Sequence, residues 1–425
     1  VKAKAGLFAD LIARGLVHDS TDPTELSARL ERGQIGVYVG FDPTADSLHV
    51  GHLLGQITLR RFQLAGHRPF PLAGGATGMV GDPSGKNEER NLLDAETLRH
   101  NVECIKGQLE NLLEFGSGAA GATLVNNADW TAPITALEFL RDVGKHVTVN
   151  QMMAKESVKN RLSSESGLSY TEFSYMLLQA NDFRHLHATN GVELQLGGSD
   201  QWGNITAGID LIRRTSGAHA FGATWPLVTR SDGQKFGKTA EGTVWLDPTK
   251  TSPYQFRQFW MQVPDDFAER CLPQYSLAPL EEIVVVLDSH RSDPGKRIAQ
   301  RRLAAELTQM VHGATAANAS AVAADVLFGG DPLQADAAAL AMVAAEVPAS
   351  VVSAGDLGDP MGVLHRCGLF ASTSEARRTL AQKGIRVNGR VLEEAEALDV
   401  AGLLHSRWIL VRKGKSSFHL LTVAS

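Results

Sequence analysis

The stretch that most restricts what this chain can become runs over residues 36–66. Gly36-Val37-Tyr38-Val39-Gly40-Phe41 is a short apolar run and predicts a buried strand. Asp42-Pro43-Thr44-Ala45-Asp46-Ser47 reads as a turn. Leu53, Ile57, Leu59, Phe62 and Leu64 then recur at roughly helical spacing, with Ser47 as the expected N-cap and Gly66 as the expected stop. A strand, a turn and a helix in that order set a helix N-terminus against a strand end. Its N–H groups and dipole suit an anion such as phosphate. His49 and His52, three apart, share a face of the first turn, and Gly51 between them lets a flat ring approach the backbone. Two histidines so spaced also suit a plain surface or half of a metal site. A metal site needs more ligands, and no Cys or His nearby supplies them.

The rest of the chain repeats the strand-then-helix rhythm. Arg68-Pro69-Phe70-Pro71-Leu72-Ala73 is a second strand, running into the glycine-rich stretch 74–86. That stretch lacks the spacing of a P-loop, because Val80 stands where glycine is needed and Asn87 follows Gly85-Lys86. Its glycines 75, 78 and 81 do not fit a dinucleotide fingerprint either. What remains is a loop carrying Asp82, Lys86 and Arg90, able to close cations over a phosphate chain. Leu98, Val102, Ile105, Leu109 and Leu112 predict a helix over 94–115. Thr123-Leu124-Val125-Asn126 is a strand, and Thr135 with Glu138 is a capping box. On a helix starting near Thr171, Tyr175, Gln179 and Asp182 share one face among apolar neighbours. That polar stripe faces either a pocket or water.

Val192-Glu193-Leu194-Gln195-Leu196 is a strand ending in Gly197-Gly198-Ser199-Asp200-Gln201, where Ser199 or Asp200 can cap the next helix. Alternation to about residue 225 indicates a parallel α/β sheet. The histidine pair, the glycine loop and the Gly-Gly-Ser-Asp turn all fall at strand carboxyl ends, where ligands of open α/β sheets bind. Lys235-Phe236-Gly237-Lys238-Thr239 follows a short strand around Leu227-Val228 and makes a cationic arm. Residues 250–325 read as helices, 326–357 as an Ala-rich linker, and 358–425 as a small α/β unit with a Val387-Asn388-Gly389-Arg390 hairpin turn.

At 425 residues two or three domains are expected. Three cysteines, 104, 271 and 367, offer neither a disulfide framework nor zinc spacing, and no apolar run reaches spanning length. A cytoplasmic protein with no membrane partner is expected. The net charge of −6 is uneven. Residues 351–425 hold ten Lys/Arg against seven Asp/Glu, a balance of +3, which leaves −9 on the rest. A basic tail on an acidic body suits either a local anionic partner or a solvated end.

Taken in order, these motifs resemble the class I aminoacyl-tRNA synthetases, and within them the bacterial tyrosyl branch. The resemblance rests on Tyr38 to Ala45, His49 with His52, Gly81-Asp82-Pro83-Ser84-Gly85-Lys86, the Tyr175/Gln179/Asp182 helix, Gly198-Ser199-Asp200-Gln201-Trp202-Gly203-Asn204, and the 235–239 loop. It covers nearly the whole chain. It implies a Rossmann-type catalytic domain with a dimer-forming insertion over 1–225, an ATP-loop and helical domain over 226–325, a linker over 326–357 and an S4-like RNA-binding domain over 358–425. It implies a tyrosine–tRNA ligase: tyrosine and ATP, with Mg²⁺, give tyrosyl-adenylate and pyrophosphate, and the tyrosyl group passes to tRNA(Tyr). A homodimer is the implied assembly.

The resemblance also implies roles residue by residue. Thr44 and His49 match contacts to the leaving pyrophosphate. Lys86, Arg90, Lys235, Lys238 and Thr239 match its mobile loops. Gly40, Asp42, Gly51, His52, Gly198 and Asp200 match the ATP site, where His49, Lys235 and Lys238 also belong. Tyr38 and Asp182 match the pair that hydrogen-bonds the substrate phenol, with Asp82, Tyr175 and Gln179 around its ammonium and Gln201 and Asn127 lining the site. Lys155, Arg213, Arg214, Arg377, Arg378, Lys383, Arg412, Lys413 and Lys415 match tRNA contacts. No protein metal site is implied. Three departures stand out: Phe236 within the second ATP motif, Val39 where some relatives carry Cys, and Asn181 where an aromatic residue is common. The rival readings are a tryptophanyl enzyme, an RNA-binding scaffold that lost catalysis, and a nucleotidyltransferase acting on another acid.

Overall fold

The computed structural model describes residues 6–82, 93–155, 158–159, 162, 168–229, 236–239, 242–394 and 396–424. The chain divides into two compact units. The first takes Val1–Thr251 with Val263–Leu303, and the second takes Ser252–Gln262 with Ala304–Ser425.

The first unit is built on a six-stranded sheet: β1 (Asp19–Ser20), β2 (Gly36–Phe41), β3 (Arg68–Ala73), β4 (Val125–Asn126), β5 (Val192–Gly198) and β6 (Phe221–Trp225). The strand order is β1-β6-β5-β2-β3-β4, all parallel except β1 against β6. Val37, Val39, Phe70, Leu194 and Leu196 are all buried, as the continuous apolar runs predict for a sheet covered on both faces. The chain builds outward from β2 to β3 and β4, then returns to the other side of β2 with β5. The switch point therefore lies between the carboxyl ends of β2 and β5, where this class of sheet binds ligands.

Four helices frame that point: α1 (Val50–Leu64), α2 (Ala95–Glu110), α3 (Tyr170–Asn190) and α4 (Trp202–Ser216). The Thr135/Glu138 capping box is present, opening the helix Ala136–Asp142. Several boundaries differ from expectation. Ser47 does not cap α1; its hydroxyl donates to the Leu48 carbonyl and accepts from Gln108, and His49 is the N-cap. Helix α2 stops at Glu110, before Phe115. No strand forms at Leu227-Val228, because β6 ends at Trp225. Neither Ser199 nor Asp200 caps α4. They form a 3-10 turn (Ser199–Gln201), and Gln201 stands at the cap position without a side-chain cap bond.

In the second unit five strands form a second sheet: β7 (Ala349–Val352), β8 (Ile385–Val387), β9 (Arg390–Val391), β10 (Trp408–Lys413) and β11 (Ser417–Val423), ordered β9-β8-β10-β11-β7. The predicted hairpin turn joins β8 to β9, with Asn388 and Gly389 both at positive φ. The two-residue period of β10 puts Ile409 and Val411 on one face and Trp408 and Leu410 on the other, and all four are buried. Helices α7 (Pro360–Arg366) and α8 (Thr373–Ala381) contribute to the core on the first face. The second is covered by the end of α5 (Ile298–Leu327) and by α6 (Ala337–Glu346). The Ala-rich stretch 326–357, expected as a linker, is thus built into this unit as α6 and β7. Its alanines let α6 sit close to the sheet, with Ala339, Leu340 and Val343 buried against it.

Candidate active site

At the carboxyl end of β2 the two histidines cap α1 with their rings. His49 Nδ1 accepts the Gly51 N–H at 3.0 Å, and His52 Nδ1 accepts the His49 N–H at 3.3 Å. The imidazoles stack with centroids 3.9 Å apart. This is a capping box made from imidazoles where hydroxyl and carboxylate are usual. It fixes the chemistry of both rings, because a neutral imidazole that accepts at Nδ1 carries its proton at Nε2. Each ring therefore presents an Nε2–H donor beside the positive end of a helix dipole. Gly51 serves this cap directly: a Cβ there would lie 2.7 Å from His49 Cε1.

The second motif is anchored onto the first. Val50 donates to the Val244 carbonyl and Leu246 to the Leu48 carbonyl, while His49 and Trp245 form an antiparallel bridge. Gly237, at φ +92°, passes so close that a Cβ would lie 2.6 Å from Val50 Cγ2. Phe236 is buried and stacks on Phe267 with centroids 4.6 Å apart. An aromatic anchor at the root of the arm explains that departure from the commoner motif. The backbone of Lys238–Thr239 pairs with Gly242–Thr243. The side chains of Lys238 and Thr239, and Lys86, Arg90 and Lys235 altogether, lie outside the described residues.

Deeper in the crevice sits Tyr38, 1% exposed, its hydroxyl without a hydrogen-bond partner among the described residues. Burial, then the charge of Asp182, holds the phenol well above its usual pKa. Asp182 is 2% exposed and is held at both oxygens: Asn127 Nδ2 donates to Oδ2 at 2.9 Å and Trp130 Nε1 to Oδ1 at 2.8 Å. Burial pushes its carboxyl up to about 7, against the pull of those two donors. Asn127 is fixed in turn, donating to Thr77 Oγ1 and accepting from the Ala76 N–H. Thr77 Oγ1 lies 3.5 Å from Asp42 Oδ1, which links the carboxylate pocket to the turn after β2.

A second polar chain crosses the mouth of β5. Gln201 Nε2 donates to Asp82 Oδ2 at 2.7 Å, Gln179 Nε2 to Gln201 Oε1 at 3.2 Å, and Asn204 Nδ2 to both glutamine oxygens at 3.1 Å. Tyr175 is buried one turn before Gln179. The stripe on α3 therefore faces polar groups of the interior and not open water. The network includes one carboxylate, that of Asp82, which suits a small cation such as an ammonium group.

A family model described as tRNA synthetases class I (W and Y) matches residues 30–329. The chain belongs to that family. It is 48% identical over 420 residues to the tyrosine–tRNA ligase of Roseiflexus castenholzii, covering 98% of this chain and 99% of that one. It is 49% identical over 421 residues to that of Anaeromyxobacter dehalogenans, with the same coverage. Among solved structures, a C-terminally truncated mitochondrial tyrosyl-tRNA synthetase of Aspergillus nidulans aligns with a TM-score of 0.70 and 32% identity, over 76% of this chain and 95% of that one.

Set in this synthetase, two groups near Tyr38 escape a reading of the sequence. Trp130 holds Asp182 and stacks on His185 at 4.5 Å, yet nothing local marks it out. Gln195 lies in register with Tyr38 across β2 and β5, and its buried Oε1 has no partner among the described residues. Its signal was present: a polar residue inside a strand buried on both faces. Val39 is buried beside Gly55 of α1, away from Tyr38 in the strand's alternation. Asn181 accepts from Arg184 Nε and Nη2. Gly40 and Thr44 are exposed at the end of β2, while Gly198 and Asp200 are half-buried at the end of β5.

The basic residues are scattered. Lys155 is bonded to Thr206, Arg213 pairs with Asp210, and Arg214 donates to the His146 carbonyl. Arg377, Arg378, Lys383 and Lys415 are exposed, and Arg412 is half-buried. Lys413 is engaged within the fold, at 2.7 Å from Glu375 and over the Phe370 ring. Among the described residues no three His, Cys, Asp or Glu side chains converge on a metal position, and no helix is long and apolar enough to cross a membrane.

Proposed function

We infer that this chain is a tyrosine–tRNA ligase. It activates tyrosine with ATP and then passes the tyrosyl group to tRNA(Tyr). The observation that carries the substrate choice is a buried phenol and a buried carboxylate side by side. Tyr38 has a hydroxyl with no partner among the described residues, and Asp182 has fixed oxygens. A substrate hydroxyl entering there meets an acceptor and a second hydroxyl. Phenylalanine would leave both groups unpaired, at about 1–3 kcal/mol each. An indole offers no such hydroxyl, which disfavours the tryptophanyl reading.

Tyr38 lies three residues before the end of β2, about 10 Å along the strand. A tyrosine held at its phenol end by Tyr38 and Asp182, and at its ammonium by Asp82, Gln179 and Tyr175, points its carboxylate toward the strand end. Gln201 and Asn127 act by holding Asp82 and Asp182. The carboxylate oxygen forms a bond to the α-phosphorus of ATP, and the bond from that phosphorus to the α,β-bridging oxygen breaks. A carboxylate is already ionised at neutral pH, so the step needs no general base. What it needs is alignment and donors for charge on the leaving pyrophosphate. The Nε2–H groups of His49 and His52, the N-terminus of α1, Thr44 and the cations Lys86, Arg90, Lys235 and Lys238 are assigned to that task. Gly40, Asp42, Gly51, Gly198 and Asp200 line the adenosine side. ATP enters as its magnesium complex, as a substrate.

In the second step a ribose hydroxyl at the tRNA end attacks the tyrosyl carbonyl, and AMP leaves. The second unit, with its basic Arg377 and Arg378 helix, is assigned to tRNA as an S4-like domain, with Lys155, Arg213 and Arg214 on the first unit. A homodimer formed through the insertion fits its apolar surface, where Leu137 is 80% exposed, with Leu140, Val149 and Tyr170 also exposed. The cytoplasm, where translation occurs, is the assigned location. Amino-acid-dependent pyrophosphate exchange is the test. Exchange with tyrosine, and little with phenylalanine or tryptophan, is expected; exchange with tryptophan alone would overturn the reading.

A further inference from the structure

Within the second unit, β8 and β10 set two arginines directly opposite each other. Arg386 and Arg412 are register partners, and the next residue in the row, on β11, is Phe418. Like charges facing across a strand pair destabilise a sheet unless something lies between them. Among the described residues neither guanidinium has a carboxylate partner. Arg386 Nη1 donates to the Gly389 carbonyl and Arg412 Nε to the Gly414 carbonyl, while Arg412 lies over the Phe418 ring. Both arginines line an open cavity of about 340 Å³, together with Val326, Gly329, Gly330 and Pro332. That volume is at the lower end of the ~300–1,000 Å³ usual for small-ligand sites. Asp331 lines it too, its Oδ1 accepting the Leu333 N–H, so the cavity sets two guanidiniums against one carboxylate and keeps a net positive charge. The cavity lies where the sheet face covered by α5 and α6 runs out. Leu410 ends the apolar row, and Arg412 begins the charged one. Immediately before Gly329, Phe328 is 80% exposed, an aromatic face beside a cationic pocket.

We propose that this cavity binds one unpaired nucleotide of an RNA chain, with its phosphodiester between Arg386 and Arg412 and its base against Phe328. Two guanidiniums can fork the non-bridging phosphate oxygens, and an exposed ring beside them supports a base that has left its stack. The assignment rests on the reading of the second unit as an RNA-binding domain and adds a defined site to it. Neither Arg386 nor Phe328 was marked by the sequence, because nothing local shows that the strands bring these groups together.

Binding of a tRNA(Tyr) transcript to the full-length protein at several salt concentrations tests it. Arg386→Gln is expected to weaken binding about tenfold and to lower the slope of log Kd against log salt by about one. Phe328→Ala should weaken binding with the slope unchanged, and Arg386→Lys should restore the slope and part of the affinity. Pyrophosphate exchange with tyrosine should be unaltered in Arg386→Gln, showing that the protein is folded. Unchanged affinity and slope in Arg386→Gln and Arg412→Gln would overturn the proposal. Saturation by inorganic phosphate alone, abolished by those substitutions while RNA binding stays intact, would mark a free-anion site and overturn it as well. Failure of the unaltered protein to bind the transcript would instead refute the RNA reading of the whole unit, and this site with it.

Discussion

Asp182→Asn separates what the carboxylate does for the substrate from what it costs the fold. Burial moves this carboxyl from 3.8 to about 7. Between those values the folded chain keeps a proton that the unfolded chain has released. Stability tied to that proton is therefore complete below about pH 4 and is lost as the pH rises through about 7. At about 1.4 kcal/mol per pH unit, the buried carboxyl lowers stability by about 2 kcal/mol at pH 5 and about 4 kcal/mol at pH 8. Asparagine removes this dependence. It also puts an NH₂ group where Asn127 or Trp130 already donates, at about 1–3 kcal/mol at either pH. The variant should therefore be close to the parent at pH 5 and more stable by about 1–3 kcal/mol at pH 8. Guanidinium unfolding at the two pH values, followed by tryptophan fluorescence, reads the difference. A stability gap that stays the same from pH 5 to pH 8 would refute the account of a carboxylate strained by burial. In the same variant the preference for tyrosine over phenylalanine should collapse. In the parent, KM for tyrosine should fall as the pH rises through about 7, because the ionised form is the better acceptor for the substrate hydroxyl.

Other substitutions probe the remaining parts. Tyr38→Phe removes a buried hydroxyl that has no partner among the described residues, so stability should hold or rise by up to about 1 kcal/mol while the tyrosine-over-phenylalanine ratio in exchange drops about tenfold or more; a clear loss of stability would show that the hydroxyl was satisfied after all. His52→Ala removes the acceptor for the His49 N–H, with about 1 kcal/mol lost by melting and at least ~100-fold lost in adenylate formation by stopped flow. Phe236→Ala loosens the root of the 235–239 arm. An aromatic pair contributes about 0.5–1.5 kcal/mol beyond its burial, so kcat for exchange should fall about tenfold with KM for tyrosine unchanged, and an unaltered kcat would refute the anchoring role.

The local logic of the site was open to reading. A strand over 36–41 and a helix after the turn follow from apolar runs and turn residues; the strand forms as expected, and the helix forms but starts at Val50 behind His49, not behind Ser47. The polar face of α3 could be seen from spacing alone, though not whether it met water. The sheet order decided that, by bringing Asp82 from one segment and Gln201 with Asn204 from another. The capping of α1 was misplaced by two residues because hydroxyls are the usual caps, and only the folded geometry shows imidazoles taking that role. Residues 326–357 look like a linker because alanine carries little hydrophobic contrast. They fold because Trp408, Leu410 and Leu420 need a cover, and those lie fifty or more residues away.

What the sequence determined by itself is chemistry held within a few residues. It set the elements, the glycine at residue 51, the histidine pair and the motif order that marks a class I synthetase. Only the tertiary structure could decide which distant groups meet: Trp130 on Asp182, Gln195 beside Tyr38, Phe236 on Phe267 and Arg386 across from Arg412. The reason is physical. Helix and strand periods are short-range and are written in adjacent residues, whereas burial and the pairing of polar groups depend on strand order and register, which no single segment encodes.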